Sequence, residues 1–381
     1  MIPPYLILFI TSNLGGGGAE RALVNIINHL DRTRFQPHLA LYQKEGVFLQ
    51  DLESDVPVYE IQPRDYGFLH RNLTRLWAIK RLSTRLCPAL IMSVQWQVNS
   101  VILLAHALLN LNCPVVVNEQ VALRKGSKTI WQRRLFWPLA RRVYKQAAKV
   151  VTISNGIASE LQEELLLPAN HFRVINNPVS LAEIREQPSQ QPLDRPPDMT
   201  PRLISVGRLE KQKNYSLLLQ AINRVIEVEM VELDILGEGS ERPHLEELIQ
   251  AMGLERSIHL LGFQPNPFTY MAQADIFILS SDFEGFGNVI VEAMALGKPV
   301  IATDCPYGPA EILANGEYGV LVPPRDEQAL AGAILTLLHD SDARAELSAK
   351  AKKRAEDFSI HQIGPWYEHL FTELIMDRDR E

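Results

Sequence analysis

At 381 residues with 46% hydrophobic content, the chain is long enough to bury the cores of two or three ordinary domains, which excludes a disordered protein. A formal net charge of −7 argues against a dedicated nucleic-acid binder, because such domains carry a net basic footprint. Cys87, Cys113 and Cys305 are far apart and lack CxxC spacing, so they support neither a disulfide framework nor a zinc site and point to a reducing compartment.

The opening YLILFITSN has no basic n-region or small-residue cleavage site and is far shorter than the ~20 residues of a membrane span. It reads as the first strand of a cytoplasmic chain, one that can still rest on the inner face of a membrane. GGGGAER follows and opens a helix around Ala22 to Leu30. Gly15 to Gly18 can bring backbone amides close to a ligand, with Gly16 and Gly17 as binding candidates, although a glycine run is also what a flexible loop looks like. The run is neither GxGxxG nor a Walker A loop. Glu20 and Arg21 are expected to cap or pair locally.

HLALY, ALIMSV, PVVVNE, KVVTIS and RVINN continue the first series of strands. His106, on an apolar segment, reads as a packed core histidine, and Asn155 in TISNGI as a turn and helix cap. Glu119 and Gln120 stand at the end of PVVVNE. Between Glu119 and Glu160 there is no acidic residue, yet Arg124, Lys125, Lys128, Arg133, Arg134, Arg141, Arg142, Lys145 and Lys149 occur, interleaved with Trp131, Phe136 and Trp137. Cations drawn to a leaflet and indoles at its interface would give this pattern, so 124–149 is expected to meet an anionic membrane surface. A helix with core aromatics and solvated cations would give the same pattern.

EQPSQQPLDRPPDMTP has no apolar periodicity, and 179–200 is expected as a linker between domains 1–178 and 201–358. A second series of strands follows: RLISVG, LDILGEG, SIHLLGF, ADIFILSS, KPVIATD and GVLVP. Short apolar runs alternating with amphipathic segments predict an α/β protein of two doubly wound, Rossmann-like domains. Ligands of open parallel sheets bind beyond the carboxyl ends of the strands, so function is expected in those loops, across a cleft between the domains. The final SIHQIGPWYEHLFTELI reads as a helix over 359–377 with Trp366, Tyr367, Leu370, Phe371 and Leu374 on one face. It either packs back on the first domain or closes the second.

Three features converge at the strand ends of the second domain. VGRLEKQKN places Arg208 and Lys213 in one loop region. In LGEGSERPHL, Gly237 and Gly239 would let a ligand approach the backbone, but Arg242 stands where a dinucleotide fingerprint needs its third glycine. In DFEGFGNVIVEAMALGKPV, Gly285 and Gly287 bend the chain into a helix ending at Gly297. The N–H groups of Gly287, Asn288 and Val289 and the positive dipole end favour phosphate. With Arg208 and Lys213 they suit a diphosphate. Glu292 can reach back toward ribose hydroxyls, and Glu284 lies before the turn, where sugar hydroxyls or a reacting carbon would be. Two surface glutamates remain the alternative from spacing alone.

The run GRLEKQKN, LGEGSERPHL, LLGF, SSDFEGFGNVIVEAMALGKPVIATDCPYGPAEIL and NGEYGVLVPP resembles, in that order, the second domain of family 4 retaining glycosyltransferases of the GT-B fold, the type that builds bacterial cell-surface polysaccharide and glycolipid. Glu284 and Glu292 match that family's E-x7-E pair, and FITSNLGGGGAERALVNI looks like its GGAER-type opening. The resemblance implies that Arg208 and Lys213 hold the donor diphosphate with support from the turn amides at Gly287 to Val289. It further implies that Glu292 binds the ribose and Glu284 the donor sugar, with Gly262 and Phe263 against the nucleobase. Where many relatives resemble Glu-His, this chain has Glu119-Gln120, and glutamine can hydrogen-bond but cannot act as a base, so Glu119 and Gln120 are acceptor-side candidates only.

The expectation is thus transfer of a hexosyl or N-acetylhexosaminyl group, with retention, from a nucleotide-diphosphate sugar to a glycan or lipid-linked acceptor. Glu284, Arg208 and Lys213 are the catalytic candidates. UDP is favoured by the GGAER opening and by CPYGPAEIL, with a guanine nucleotide as the alternative. No cofactor and no metal are expected, since Arg208 and Lys213 can take the metal's place and the two Asp-x-Asp matches at Asp340 and Asp377 suit capping and solvation. A nucleotide-sugar epimerase on the same fold, or a non-catalytic sugar-nucleotide-binding protein, are the rivals.

Overall fold

The computed structural model describes residues 3–61, 68–121, 130–190, 200–378 and 380, with side chains outside 68–72, 130–136 and 189–190. It divides into two compact units, Met1–Pro178 with Ile360–Glu381, and Val179–Ser359.

The first unit holds β1 (Tyr5–Thr11), β2 (Phe35–Leu41), β3 (Val58–Glu60), β4 (Leu90–Val94), β5 (Val115–Glu119), β6 (Lys149–Thr152) and β7 (Phe172–Val174). They form one parallel sheet in the order β3-β2-β1-β4-β5-β6-β7. β4 and β5 are buried along their whole length, as continuous apolar strands are when helices cover both faces of a sheet. β3 is the one strand here that no apolar run announced; it is short and only partly buried. The helices Phe68–Leu86, Trp96–Leu109 and Ile130–Tyr144 lie side by side, as same-handed crossovers from β3 through β6 require.

The C-terminal helix, Ile360–Arg378, belongs to this unit. Tyr367, Leu370, Phe371 and Ile375 join Ile7, Phe9, Phe35 and Met92 in one core. Trp366, expected on the same face, is instead 53% exposed, because it lies next to Tyr367 and points elsewhere on the helix.

The second unit holds β8 (Arg202–Val206), β9 (Glu232–Leu236), β10 (Ile258–Gly262), β11 (Ile276–Leu279), β12 (Val300–Thr303) and β13 (Val320–Val322). They form a parallel sheet in the order β10-β9-β8-β11-β12-β13. The segment 179–200, expected as a linker, is helical over Leu181–Gln190 and belongs to this unit. Its proline and glutamine content misled: Leu181 and Ile184 are buried, Arg185 reaches Glu356 at 2.7 Å, and Asn266 donates to Gln187 O.

Candidate active site

β11 ends where its apolar run meets Ser280, Ser281 and Asp282, and β8 ends at Gly207. These two strands are neighbours, so their loops meet. Lys213 closes a short 3-10 turn, Lys211–Lys213, and its ammonium donates to Glu284 Oε1 at 2.6 Å, with side-chain exposures of 14% and 7%. The two serines fix the pair from opposite ends. Ser280 Oγ donates to Lys213 O at 2.9 Å, and Ser281 Oγ donates to Glu284 Oε1 at 2.6 Å. Thr303 at the end of β12 donates to Ser281 O at 2.6 Å.

Asn214 then starts the helix Tyr215–Ile226 from a left-handed conformation that asparagine tolerates, capping Leu217 N at 3.3 Å. Its amide also donates to Asp282 Oδ1 at 3.0 Å, and Arg325 pairs with Asp282. The loops after β8 and β11 are thereby stitched together on both sides of Lys213.

Arg208 is exposed on the same loop. Gly237 sits at φ 142 where a Cβ would land on Gly207 O, and a Cβ on Gly239 would meet Leu209 O. These glycines therefore let the loop after β9 press on the loop after β8, a role the sequence alone assigned to a ligand. Gly237 N donates to Gly262 O at 2.8 Å, and Phe263 beyond it is half exposed. The helix Asn288–Ala295 begins at Gly287, whose φ of 98 needs glycine, and offers no side-chain cap of its own. Its first turn presents backbone N–H groups at the positive end of the dipole. Glu292 is buried in it.

In the first unit, Glu119 and Gln120 are adjacent in sequence but serve different partners. Glu119 Oε1 accepts from Tyr144 OH and from Asn99 Nδ2 at 2.7 Å, while Oε2 has no partner among the described residues. Burial raises its carboxyl to about 7, against the lowering pull of those two hydrogen bonds. Gln120 exchanges hydrogen bonds with Asn177 and donates to Asn118 Oδ1, and Asn118 donates to Tyr367 OH. Asn99, Asn118, Tyr144 and Asn177 were not anticipated; the only signal was polar residues at the ends of otherwise apolar runs.

Gly16 adopts φ 102, and a Cβ on Gly17 would meet the Glu20 carboxylate. That carboxylate accepts from Gln95 at 2.5 Å, and Arg21 lies over the Phe48 ring, so these contacts of both residues reach across the fold rather than along the chain as expected. The helix cap near Asn155 is Ser154, whose Oγ accepts from Ile157 N at 3.4 Å; Asn155 is the first helical residue. His106 is half-buried, and burial lowers its pKa. Trp137 is a core residue rather than an interfacial one, and 122–129 and the side chains of Trp131 and Phe136 lie outside the described residues. Asp340 caps Ala343 N at 2.8 Å. Among the described residues no group of three or more His, Cys, Asp or Glu could hold a metal, and no helix is long and apolar enough to cross a membrane.

The family model for "Glycosyl transferases group 1" matches residues 187–354, and that for "Glycosyl transferase 4-like domain" matches residues 17–178. The chain belongs to the GT-B glycosyltransferases of the family 4 type. A Campylobacter jejuni N-acetylgalactosamine-N,N'-diacetylbacillosaminyl-diphospho-undecaprenol 4-alpha-N-acetylgalactosaminyltransferase is 29% identical over 93% of this chain and 96% of its own length. LpsD of Rhizobium meliloti, a lipopolysaccharide core biosynthesis glycosyltransferase, is 29% identical over 95% of this chain and 97% of its own. The crystal structure of HepE from Anabaena with UDP and glucose superposes with a TM-score of 0.81 at 24% identity, over 97% of this chain and all (100%) of that one. At that identity the likeness speaks to the fold.

Proposed function

We propose that this glycosyltransferase moves a hexosyl or N-acetylhexosaminyl group, with retention, from a UDP-sugar to a lipid-linked or glycan acceptor, without a metal. The observation that carries the reading is the buried Lys213–Glu284 pair, held by Ser280 and Ser281, with Arg208 exposed on the loop of Lys213 and the helix Asn288–Ala295 following Glu284 in the chain. In this reading Arg208, Lys213 and the first-turn amides receive the diphosphate, Glu292 the ribose and Glu284 the sugar hydroxyls. UDP is supported by the HepE complex, and an undecaprenol-linked acceptor by the Campylobacter relative. Glu119 and Gln120 stand on the acceptor side.

The bond between the sugar's anomeric carbon and the diphosphate oxygen breaks while the acceptor oxygen bonds that carbon from the same face. The hydroxyl proton passes to the departing phosphate oxygen. Charge grows on the diphosphate as it leaves, and preorganised cations and amides lower the barrier by stabilising it. Lys213 would then exchange Glu284 for phosphate, which frees the Glu284 carboxylate for the sugar. Peripheral attachment to an anionic membrane completes the reading, since a lipid-linked acceptor is reached at a surface.

The test is thermal shift with UDP, GDP, ADP and their sugar conjugates in chelator, for the wild type and Lys213→Ala. A UDP-selective shift that survives the chelator and vanishes in Lys213→Ala is expected. No shift with any nucleotide in folded protein would remove the donor site and bring a binding role for some other ligand forward.

A further inference from the structure

Charge is distributed very unevenly along this chain. Its total is −7, yet between Asp65 and Glu160 the only carboxylate is Glu119, which is fully buried. That acid-free stretch folds into the adjacent helices Phe68–Leu86, Trp96–Leu109 and Ile130–Tyr144. Their outer surface therefore carries cations that no carboxylate of the same stretch can offset.

The middle helix, WQVNSVILLAHALL, contains no Lys, Arg, Asp or Glu. The helices flanking it carry the cations. On Phe68–Leu86 the outward positions recur every four residues: Leu73 at 55% exposure, Trp77 at 66%, then Arg81 and Arg85. On Ile130–Tyr144 and just beyond it, Leu139 is 62% exposed, with Arg142 and Lys145 also exposed. Leu108 at the end of the middle helix is exposed as well. A tryptophan two-thirds in water costs hydrophobic free energy unless something covers it. Trp137, one of the two indoles that the sequence pattern offered as anchors, is in the core; Trp77, on the other side of the middle helix, is an exposed indole.

We propose that this face docks on an anionic lipid bilayer. Leu73 and Trp77 enter the headgroup boundary, Leu108 and Leu139 extend the apolar contact, and Arg81, Arg85, Arg142 and Lys145 pair with lipid phosphates. Charge complementarity selects a lipid surface as the occupant: rows of cations beside apolar tips fit a plane of phosphates over hydrocarbon, where indoles settle at the boundary. An acidic protein would meet the cations but leave the Leu73–Trp77 stripe unexplained. The proposal extends the membrane part of the reading above, keeping Arg142 and Lys145 of the segment the sequence pattern marked and adding the helix Phe68–Leu86, which it did not mark.

The experiment is sedimentation of the full chain with vesicles of phosphatidylcholine alone or with about one-third phosphatidylglycerol, without any nucleotide. Wild type is expected to bind the phosphatidylglycerol vesicles and release at high salt. Leu73→Ser with Trp77→Ser, and separately Arg81→Glu with Arg85→Glu, are each expected to weaken binding tenfold or more. Lys353→Glu, the same charge change on an exposed lysine of the second unit, should leave it unchanged. Quenching of tryptophan emission by brominated acyl chains should drop sharply in Trp77→Phe.

Equal binding to both vesicle types, undiminished binding by both double variants, or equal loss in Lys353→Glu would each overturn the proposal. UDP thermal shift on the same proteins is read separately. A chain that binds UDP but no vesicles refutes this face alone; one that binds vesicles but no nucleotide refutes the donor assignment alone.

Discussion

Removing Lys213 leaves Glu284 worse placed than removing both. The pair is nearly dry, and a buried carboxylate stripped of its cation keeps its desolvation cost without the compensating attraction. Lys213→Ala should therefore destabilise the ligand-free protein by about 3 kcal/mol in urea unfolding. Lys213→Ala with Glu284→Gln should cost clearly less, because the neutral amide can still accept from Ser281. Additive losses would mean that the ion pair contributes nothing to the free protein. Glu119 allows a second test, through pH. Its carboxyl would lose its proton near 4.5 in the unfolded chain but holds it to about 7 when folded. Between those values the folded state binds more protons, so stability falls as pH rises through that window and levels off above it. Glu119→Gln should flatten this decline in melting temperature, and parallel curves for the two proteins would sink the assignment. The two carboxylates were not equally legible. Glu284 sits in a local pattern with its turn and helix, whereas burial raises the pKa of Glu119 and its hydrogen bonds come from Tyr144, 25 residues away, and Asn99, which only the packing brings together.

Glycine positions separate two reasons why an element ends or bends where it does. Gly253 follows the helix Arg242–Met252 at φ 68 with open space where a Cβ would go, so Gly253→Ala should cost only the left-handed strain, about 1–2 kcal/mol. Gly237→Ala meets strained backbone and the carbonyl of Gly207 together. Backbone strain alone is worth about 1–3 kcal/mol, so Gly237→Ala should exceed Gly253→Ala in urea unfolding and, if the donor reading holds, should also weaken UDP binding, because the loop carrying Arg208 must move. Equal costs would show that the two loops part without penalty. The same contrast explains which elements could be read from sequence. Each quoted apolar run became a strand, and central ones such as β4 and β5 are buried on both faces, which needs unbroken hydrophobicity. β3 escaped because VYE holds no apolar run to read. The helix Leu181–Gln190 escaped because its apolar anchors, Leu181 and Ile184, precede a stretch whose proline and glutamine dominate the composition.

Whether the last helix belongs to the first or the second core is a property of the whole molecule. Its apolar spacing fits either, since periodicity reports that a helix has a face to bury and says nothing of its partner. The structure gives that face to the first unit, where Phe371 lies 6.1 Å from the ring of Phe9 and 6.2 Å from that of Phe35. Burying a large apolar side chain is worth about 1.5–3 kcal/mol, so Tyr367, Leu370, Phe371 and Ile375 together rival the 5–15 kcal/mol that holds a typical domain folded. A fragment of residues 1–178 should therefore fail to unfold cooperatively, since it leaves that core open on one side. Residues 179–359 keep their own sheet and their own core intact, and that fragment should melt cooperatively and, if the donor reading holds, shift with UDP. Supplying 360–378 to the first fragment through a short flexible linker should restore a cooperative melt. A fragment 1–178 that melts as sharply without the helix would show that the interface seen here adds little, and that the chain's crossing back to its first unit serves something other than stability.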